Sequence, residues 1–395
     1  MTRVLYLTQA FPRYPGDLPG RFLWLQAVAL ADEGVEVEVL APSAPGLPAR
    51  DWVEGAAVRR YRYAPGRLET IAYTGAMATR AAKPGGMLAL AGLVAAGSLA
   101  ARRVGRGSDL VHAHWWFPSG LQAYAAQCRP LVTTFHGTDL RLTRHRPAAR
   151  ALCARVMRAS AAVTTASTWL AEVARSLAPD CADRIRVLPT PADDRLFVPG
   201  DAPRGELLFV GRLDGQKGAE VAIRALAGLT GPSAELPLRI VGGGEQAAAL
   251  RRLAAELGVA DRIVWEHGLS GAELGDRYRR AVALLVPGLD EGLGLVAIEA
   301  QLCATPVVAV DSGGLRDVVS DRVTGRLFPP GDHRALARAV EDLRGDPPGA
   351  AAMGDRARRS AVERFGIRRG ARAFAALYAE VLAGRQGARR RAART

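Results

Sequence analysis

Two short stretches carry most of the chemistry this chain could perform: Gly211-Arg212-Leu213-Asp214-Gly215-Gln216-Lys217-Gly218, and Glu291-Gly292-Leu293-Gly294-Leu295-Val296-Ala297-Ile298-Glu299. The first follows the apolar run 207–210, which reads as a buried strand, so a guanidinium and an ammonium stand at a strand-to-helix corner. Glycines such as Gly211 leave room for close backbone approach. That equipment suits a diphosphate: Arg212 offers a planar fork, Lys217 a point charge, and the following helix its N-terminal dipole. The second stretch sets two carboxylates around a Gly-Leu-Gly turn. With a helix starting near Gly294, Glu299 lies about one turn in, while Glu291 stays on the loop before it. One carboxylate then reaches a sugar ring and the other a ribose, which points to a nucleotide-sugar site.

Of 53 basic side chains only Lys83 and Lys217 are lysines. In so Arg-biased a composition an indifferent position drifts toward Arg, so Lys217 marks a need for a compact ammonium. The competing reading is a solvated turn lysine, and it fits Lys83 much better.

Other candidates are weaker. In Thr134-Phe135-His136-Gly137-Thr138-Asp139 a histidine ends an apolar strand, where it can donate a hydrogen bond or take a proton, or be satisfied by backbone. His112 and His114 alternate in Val111-His-Ala-His-Trp115-Trp116, but no third ligand follows at usable spacing, and a metal pair is set aside. Trp115, Trp116, Phe117 and Pro118 read as an acceptor-pocket wall or as local core. Gly242-Gly243-Gly244-Glu245 resembles half a dinucleotide fingerprint without its full spacing. The Pro- and Gly-rich loop 11–20 ends at Gly20, where a phosphate could approach the next helix. Neither Asp193-Asp194 nor Asp290-Glu291 makes an Asp-x-Asp clamp. The leaving diphosphate must then be met by Arg212, Lys217 and helix dipoles, which predicts a metal-independent reaction.

The elements that must position these groups alternate. Apolar runs at 4–7, 35–40, 110–112, 131–134, 162–165 and 185–188 read as strands of a first half. Runs at 207–210, 238–241, 263–265, 283–286 and 306–310 read as strands of a second. Strands apolar throughout and separated by helices imply parallel sheets covered on both faces, hence an α/β chain of two Rossmann-like, doubly wound domains. The expected division is 1–198, 204–366, a helix 367–384, and a disordered basic tail 385–395, with the boundary in the Pro/Gly cluster 198–203. Every candidate motif falls at the carboxyl end of a strand, where such sheets bind ligands.

At 395 residues two cores can be built, and the four scattered cysteines argue for a reduced cytoplasmic protein. The N-terminus enters a strand at once, with no signal-peptide pattern. The apolar run 87–101, interrupted by Gly92 and Gly97, reads as too short to span a bilayer and as a buried or interfacial helix. The net charge of +14 is uneven: residues 50–106 hold ten Arg/Lys against three Asp/Glu, and the tail from Arg385 adds five arginines. No nucleic-acid-binding pattern accompanies it. An anionic membrane surface or anionic acceptor fits, as does a solvated Arg-rich face.

The succession TFHGTDL, VGRLDGQKG, VGGGE, PGLDEGLGLVAIEA, DSGGLRDVV and TGRLF resembles the family 4 retaining glycosyltransferases of GT-B fold, over nearly the whole chain. The resemblance implies two domains facing across a cleft, with the last helix crossing back to the first. It implies sugar transfer from a nucleoside diphosphate with the anomeric configuration kept and no cofactor. Carried over by motif, Arg212 and Lys217 grip the diphosphate and Glu299 holds ribose hydroxyls. Glu291 and the backbone of Gly292, Leu293, Gly294 and Leu295 contact sugar and phosphate, with Gly20, Gly211 and Gly243 lining the donor site. His136 meets the sugar near its reacting face, Leu269 lies near the base, and His114, Trp115 and Asp139 stand on the acceptor side. The chain departs from the family at Pro287-Gly-Leu-Asp290, where a Ser and a basic residue are common.

The expected function is therefore a hexosyltransferase using a UDP- or GDP-sugar, with a glycan, lipid-linked or small-molecule acceptor and a peripheral contact to the inner membrane face. Four alternatives compete. A dehydrogenase would need GxGxxG after the first strand. A nucleotide-sugar isomerase or epimerase would need further carboxylates in the first domain. A non-catalytic binding protein would not need the full set of charged groups, and a pyridoxal-phosphate phosphorylase would need another lysine.

Overall fold

In the computed structural model, residues 1–73, 77–144 and 146–392 are described, without the side chains of Ala78, Thr79 and residues 386–392. His145 lies outside the described residues. The chain forms two compact units, Met1–Pro191 with Ile367–Thr395, and Ala192–Gly366.

The first unit is built on eight strands: β1 (Thr2–Leu7), β2 (Val35–Pro42), β3 (Arg50–Val53), β4 (Ala56–Tyr61), β5 (Leu110–His114), β6 (Leu131–Phe135), β7 (Ala162–Thr165) and β8 (Ile185–Val187). Their order is β3-β4-β2-β1-β5-β6-β7-β8, with only β3 running antiparallel to its neighbour. The second unit has β9 (Glu206–Val210), β10 (Leu238–Val241), β11 (Ile263–Glu266), β12 (Ala281–Val286), β13 (Val307–Val310) and β14 (Arg326–Phe328). Their order is β11-β10-β9-β12-β13-β14, all parallel. Strands β5, β6, β12 and β13 are buried along their whole length, as covering helices on both faces require. In each sheet the chain builds outward from its first strand and then crosses to that strand's other side. The resulting switch points lie between β1 and β5 and between β9 and β12, and ligands bind there in folds of this type.

Three features differ from the expectation. The hairpin β3–β4 and the edge strand β14 do not stand out in the sequence, because Arg50-Asp51-Trp52-Val53 and Arg326-Leu327-Phe328 are too short and charged to read as apolar runs. Glu54 and Gly55 close the hairpin with φ of 44° and 90°, the pair of positive values a tight two-residue turn needs. The second unit begins upstream of the Pro/Gly cluster, since Ala192 bridges to Gly366 and Phe197 packs edge-on against Tyr278 at 5.7 Å. The last helix, Ile367–Ala392, stays helical through the stretch where a disordered tail is expected, since arginine, glutamine and alanine all favour the helix. Residues 393–395 of that tail lie outside the described residues.

The apolar run also proves longer than it reads. The helix Gly86–Val104 has 19 residues and, by length and composition, could cross a membrane. Its edge formed by Ala89, Leu93 and Ala101 nevertheless belongs to the core of the first unit. Gly97 lets that edge close onto Gln122, where a Cβ would stand 2.2 Å from the amide nitrogen.

The last helix docks Phe374, Leu377 and Tyr378 into the core with Val4, Tyr6 and Leu23. Tyr378 is fully buried, and its hydroxyl bonds both Tyr6 (3.1 Å) and His112 Nδ1 (2.7 Å). Tyr378→Phe keeps the ring but strands these partners, so it should destabilise the first unit by about 1–3 kcal/mol. An unchanged urea midpoint would show that neither bond matters to folding.

Candidate functional site

In the second unit the loops at the switch point come from β9 and β12. Asp214 organises the first: its Oδ1 accepts from the backbone N–H of Gln216 and Lys217, both at 3.2 Å, and its Oδ2 pairs with Arg212 at 2.9 Å. Lys217 Nζ reaches across to Glu291 Oε1 at 2.5 Å. Arg212 and Lys217, the pair expected to grip a diphosphate, therefore stand at this switch point, and each cation already has one carboxylate. An ammonium has three donors and a guanidinium five, so Lys217 and the exposed Arg212 keep donors for a further anion.

Glycines bring the loops together. A Cβ on Gly242 would fall 1.8 Å from the Gly211 carbonyl oxygen, and one on Gly244 2.3 Å from that of Leu213. Leu213 N–H donates to the Gly243 carbonyl at 2.9 Å. On the other side a Cβ on Gly314 would lie 2.3 Å from the Gly292 oxygen, and the Gly314 N–H donates to the Glu291 carbonyl at 2.8 Å. Gly294, at φ 92°, starts the helix Leu295–Leu302, under which Leu293 is buried.

Glu299 sits on that helix and accepts the Tyr278 hydroxyl at 2.7 Å. Burial outweighs this bond, and with Asp193 adding repulsion it pushes the Glu299 carboxyl up to about 7. Leu269 is half-buried and directly precedes Ser270, whose side chain caps the helix Gly271–Arg280.

In the first unit His136 follows β6. Its Nε2 lies 3.2 Å from His114 Nδ1, and its ring is 4.6 Å from Trp115 and 5.1 Å from Phe22. His114, Trp115 and Asp139, expected on the acceptor side, are all buried. Asp139 shapes the loop instead, accepting backbone N–H bonds from Trp116 (3.0 Å), Gly137 (3.0 Å) and His136 (3.2 Å). Burial pushes its carboxyl up to about 6 against those bonds. Trp115 is held at φ 66°, uncommon for a bulky residue, with its indole N–H on Thr138 Oγ1 at 3.2 Å. Gly20 starts the helix Arg21–Ala31, but the room beside it is filled by the Ala10 carbonyl, 2.4 Å from where a Cβ would be. His112 is fully enclosed between Tyr378 and Thr134. Among the described residues no three His, Cys, Asp or Glu gather as a metal cage.

The expected residues therefore fall into two groups: Gly211, Arg212, Lys217, Gly243, Leu269, Glu291–Leu295 and Glu299 in the second unit, and Gly20, His114, Trp115, His136 and Asp139 in the first. Tyr278, Asp214, Gly314 and Tyr378 were not assigned site roles from sequence, although Asp214 and Gly314 lie inside quoted motifs and Tyr378 lies on the apolar face of the last helix.

The raised Glu299 carboxyl has a consequence for stability. Its folded pKa of about 7 lies above the ordinary 4.5, so the folded state holds the proton more tightly. The associated stability is present below 4.5 and lost as pH rises to about 7. Glu299→Gln should remove this dependence, so the urea midpoint of the variant should gain on the unliganded parent between about pH 5 and about pH 8. A constant difference across that range would contradict a half-buried, proton-holding Glu299.

With this geometry in place, comparison with known proteins is direct. Residues 20–196 match the family described as Glycosyltransferase Family 4, and residues 199–360 match Glycosyl transferases group 1. A D-inositol 3-phosphate glycosyltransferase of Thermobispora bispora is 34% identical over 93% of this chain and 91% of its own. A GDP-mannose-dependent alpha-(1-6)-phosphatidylinositol monomannoside mannosyltransferase of Mycolicibacterium smegmatis is 35% identical over 68% of this chain and 74% of its own. Among solved structures, a sucrose-phosphate synthase from Thermosynechococcus elongatus superposes with a TM-score of 0.81 at 24% identity, covering 97% of this chain and 100% of that one. The chain belongs to family 4 of the glycosyltransferases and has the GT-B fold of two Rossmann-like domains.

Proposed function

We propose that this glycosyltransferase moves a hexose from a UDP- or GDP-sugar to a phosphate-bearing inositol headgroup, with the anomeric configuration kept and without a metal ion. The observation that carries the donor half is the Lys217–Glu291 pair at the β9/β12 switch point, 2.5 Å apart and flanked by Arg212. In the reaction C1 of the sugar exchanges its bond to a β-phosphate oxygen for one to an acceptor hydroxyl oxygen, and the acceptor proton leaves with the nucleoside diphosphate. Negative charge grows on the departing phosphate. Lys217 and Arg212, already oriented by Glu291 and Asp214, are the groups to receive it. Glu299 serves the ribose hydroxyls, Leu269 the base, and Glu291 and His136 the transferred sugar.

Support for the acceptor comes from two directions. Both relatives named above act, by their names, on inositol-containing substrates. The helix Gly86–Val104 turns Met87, Leu88 and Leu99 outward at 67, 80 and 69% exposure. Exposed Arg80 and Lys83 precede that face, and exposed Arg102, Arg103 and Arg106 follow it. An apolar stripe between cationic ends suits the interface of an anionic bilayer, with the arginines at headgroup level.

Lys217→Ala and Arg212→Ala should each lower turnover by about a hundredfold or more in a folded protein, since each removes a preorganised charge. The assay is release of nucleoside diphosphate from UDP- and GDP-hexoses, with inositol phosphates and phosphatidylinositol as acceptors and excess EDTA present. Near-normal rates in both variants, or abolition by EDTA with rescue by manganese, would refute the metal-free clamp.

For the membrane contact, the protein should float with phosphatidylinositol-containing vesicles and be released by salt. A Leu88→Glu, Leu99→Glu double variant should remain at the bottom. If the parent sediments with anionic and neutral vesicles alike, the acceptor is water-soluble.

A further inference from the structure

His136 does not stand alone at the end of β6. Behind it His114 is fully buried, its ring 4.1 Å from His112 and 4.5 Å from the edge-on ring of Tyr6. The two facing nitrogens, His114 Nδ1 and His136 Nε2, are 3.2 Å apart. We infer that His114 is a positioning residue that donates its Nδ1–H to His136 and so fixes His136 with its proton on Nδ1, as a hydrogen-bond donor to substrate rather than a base. This rests on the reading that His136 meets the transferred sugar.

The argument is one of proton placement. Burial holds all three histidines below their ordinary range, His112 and His136 down to about 3, so the rings are neutral. Two neutral imidazoles that share a hydrogen bond have one proton between their facing atoms, and the question is which ring carries it. The other nitrogen of His114, Nε2, is buried and has no hydrogen-bonding partner among the described residues. His112 cannot serve it, since Tyr378 and Thr134 take both of its ring nitrogens. The Tyr6 hydroxyl is engaged by Tyr378. A buried N–H without an acceptor is rarer and costlier than a bare acceptor, so Nε2 is the unprotonated atom of His114 and Nδ1 carries its hydrogen. His136 Nε2 must then accept, and its proton resides on Nδ1. For a sugar hydroxyl or phosphate oxygen, that nitrogen is a donor.

The test reads the ring directly. Nitrogen-15 histidine-labelled full-length protein, with His136 assigned by loss of its signals in His136→Gln, should show a protonated Nδ1 and a bare Nε2 on that ring. His114→Phe should abolish this preference and lower turnover at least about tenfold, the scale of one neutral hydrogen bond, while nucleoside diphosphate affinity is unchanged. His114→Asn, whose amide can donate from a similar position, should restore most of both. A parent protein with His136 protonated on Nε2 overturns the inference, and so does full turnover in folded His114→Phe. If instead His136→Gln turns over normally while the label shows Nδ1–H, the proton placement stands and the sugar-contact reading fails.

Discussion

No side chain fits between the Gly211 carbonyl and the α-carbon of Gly242, where a Cβ would be 1.8 Å from the oxygen. The same holds between Gly244 and Leu213, and between Gly314 and Gly292, at 2.3 Å each. The loops after β9 and β10 therefore meet backbone to backbone, as do those after β12 and β13. That contact places the charged groups. A long, flexible lysine side chain would ordinarily lose much freedom in holding one position. Here the Asp214 turn and the β12 loop fix both ends of the Lys217–Glu291 pair from the main chain, so the side chains have little left to settle. The rest of the second unit, a parallel sheet with buried strands, serves to bring these carboxyl-terminal loops to one edge.

The first unit obeys a different constraint. Its central strands are buried on both faces yet carry His112, His114, Thr133, Thr134, Thr164 and Thr165. Polar groups so placed must bond to each other. Thr133 bonds Ser160 at 2.8 Å, His112 bonds Thr134 at 2.6 Å, and Thr134 bonds Thr164 on the next strand. The parallel register sets these rows, pairing His112 with Val132 and His114 with Thr134. Tyr378 completes the row from the last helix. Removing that helix would leave His112 unsatisfied in the core, so its docking and the state of the histidine cluster are one problem.

The sequence made legible what depends on local pattern. Apolar runs located eleven of the strands, and the Gly211–Gly218 and Glu291–Glu299 motifs located the charged groups of the second unit. What escaped depends on contacts between distant positions. Tyr278 is 21 residues from Glu299, and Tyr378 is 266 from His112; nothing near either tyrosine marks it as a partner. For the same reason the sequence left Trp115, Trp116, Phe117 and Pro118 open between a pocket wall and local core, and it did not show that His114, Trp115 and Asp139 are buried. A polar residue at a strand end can face solvent or be enclosed, and only the packing of Tyr6, Phe22 and the last helix decides. The pairing of Arg212 with Asp214, two residues apart, was within reach of the sequence, whereas Lys217 with Glu291 needed the sheet order.

Charge shows the limit of composition most plainly. The surplus in residues 50–106 could belong to a partner surface or to the fold itself, and the two uses turn out to be mixed. Arg60 is wholly buried, donating to the Tyr73 hydroxyl at 2.9 Å and the Pro12 carbonyl at 3.1 Å. Arg59 pairs with Glu38, and Arg62 holds the buried Glu69. These arginines fasten the β3–β4 hairpin and the loop after it, and none is available to an outside anion at full strength. Arg80, Lys83, Arg102, Arg103 and Arg106 are exposed and lie around the helix Gly86–Val104, which leaves Met87, Leu88 and Leu99 uncovered. Sorting by pairing thus separates a structural part of the surplus from a surface part. Only the second carries weight for what this protein meets, because an arginine already paired within the fold adds little to the attraction of a charged surface.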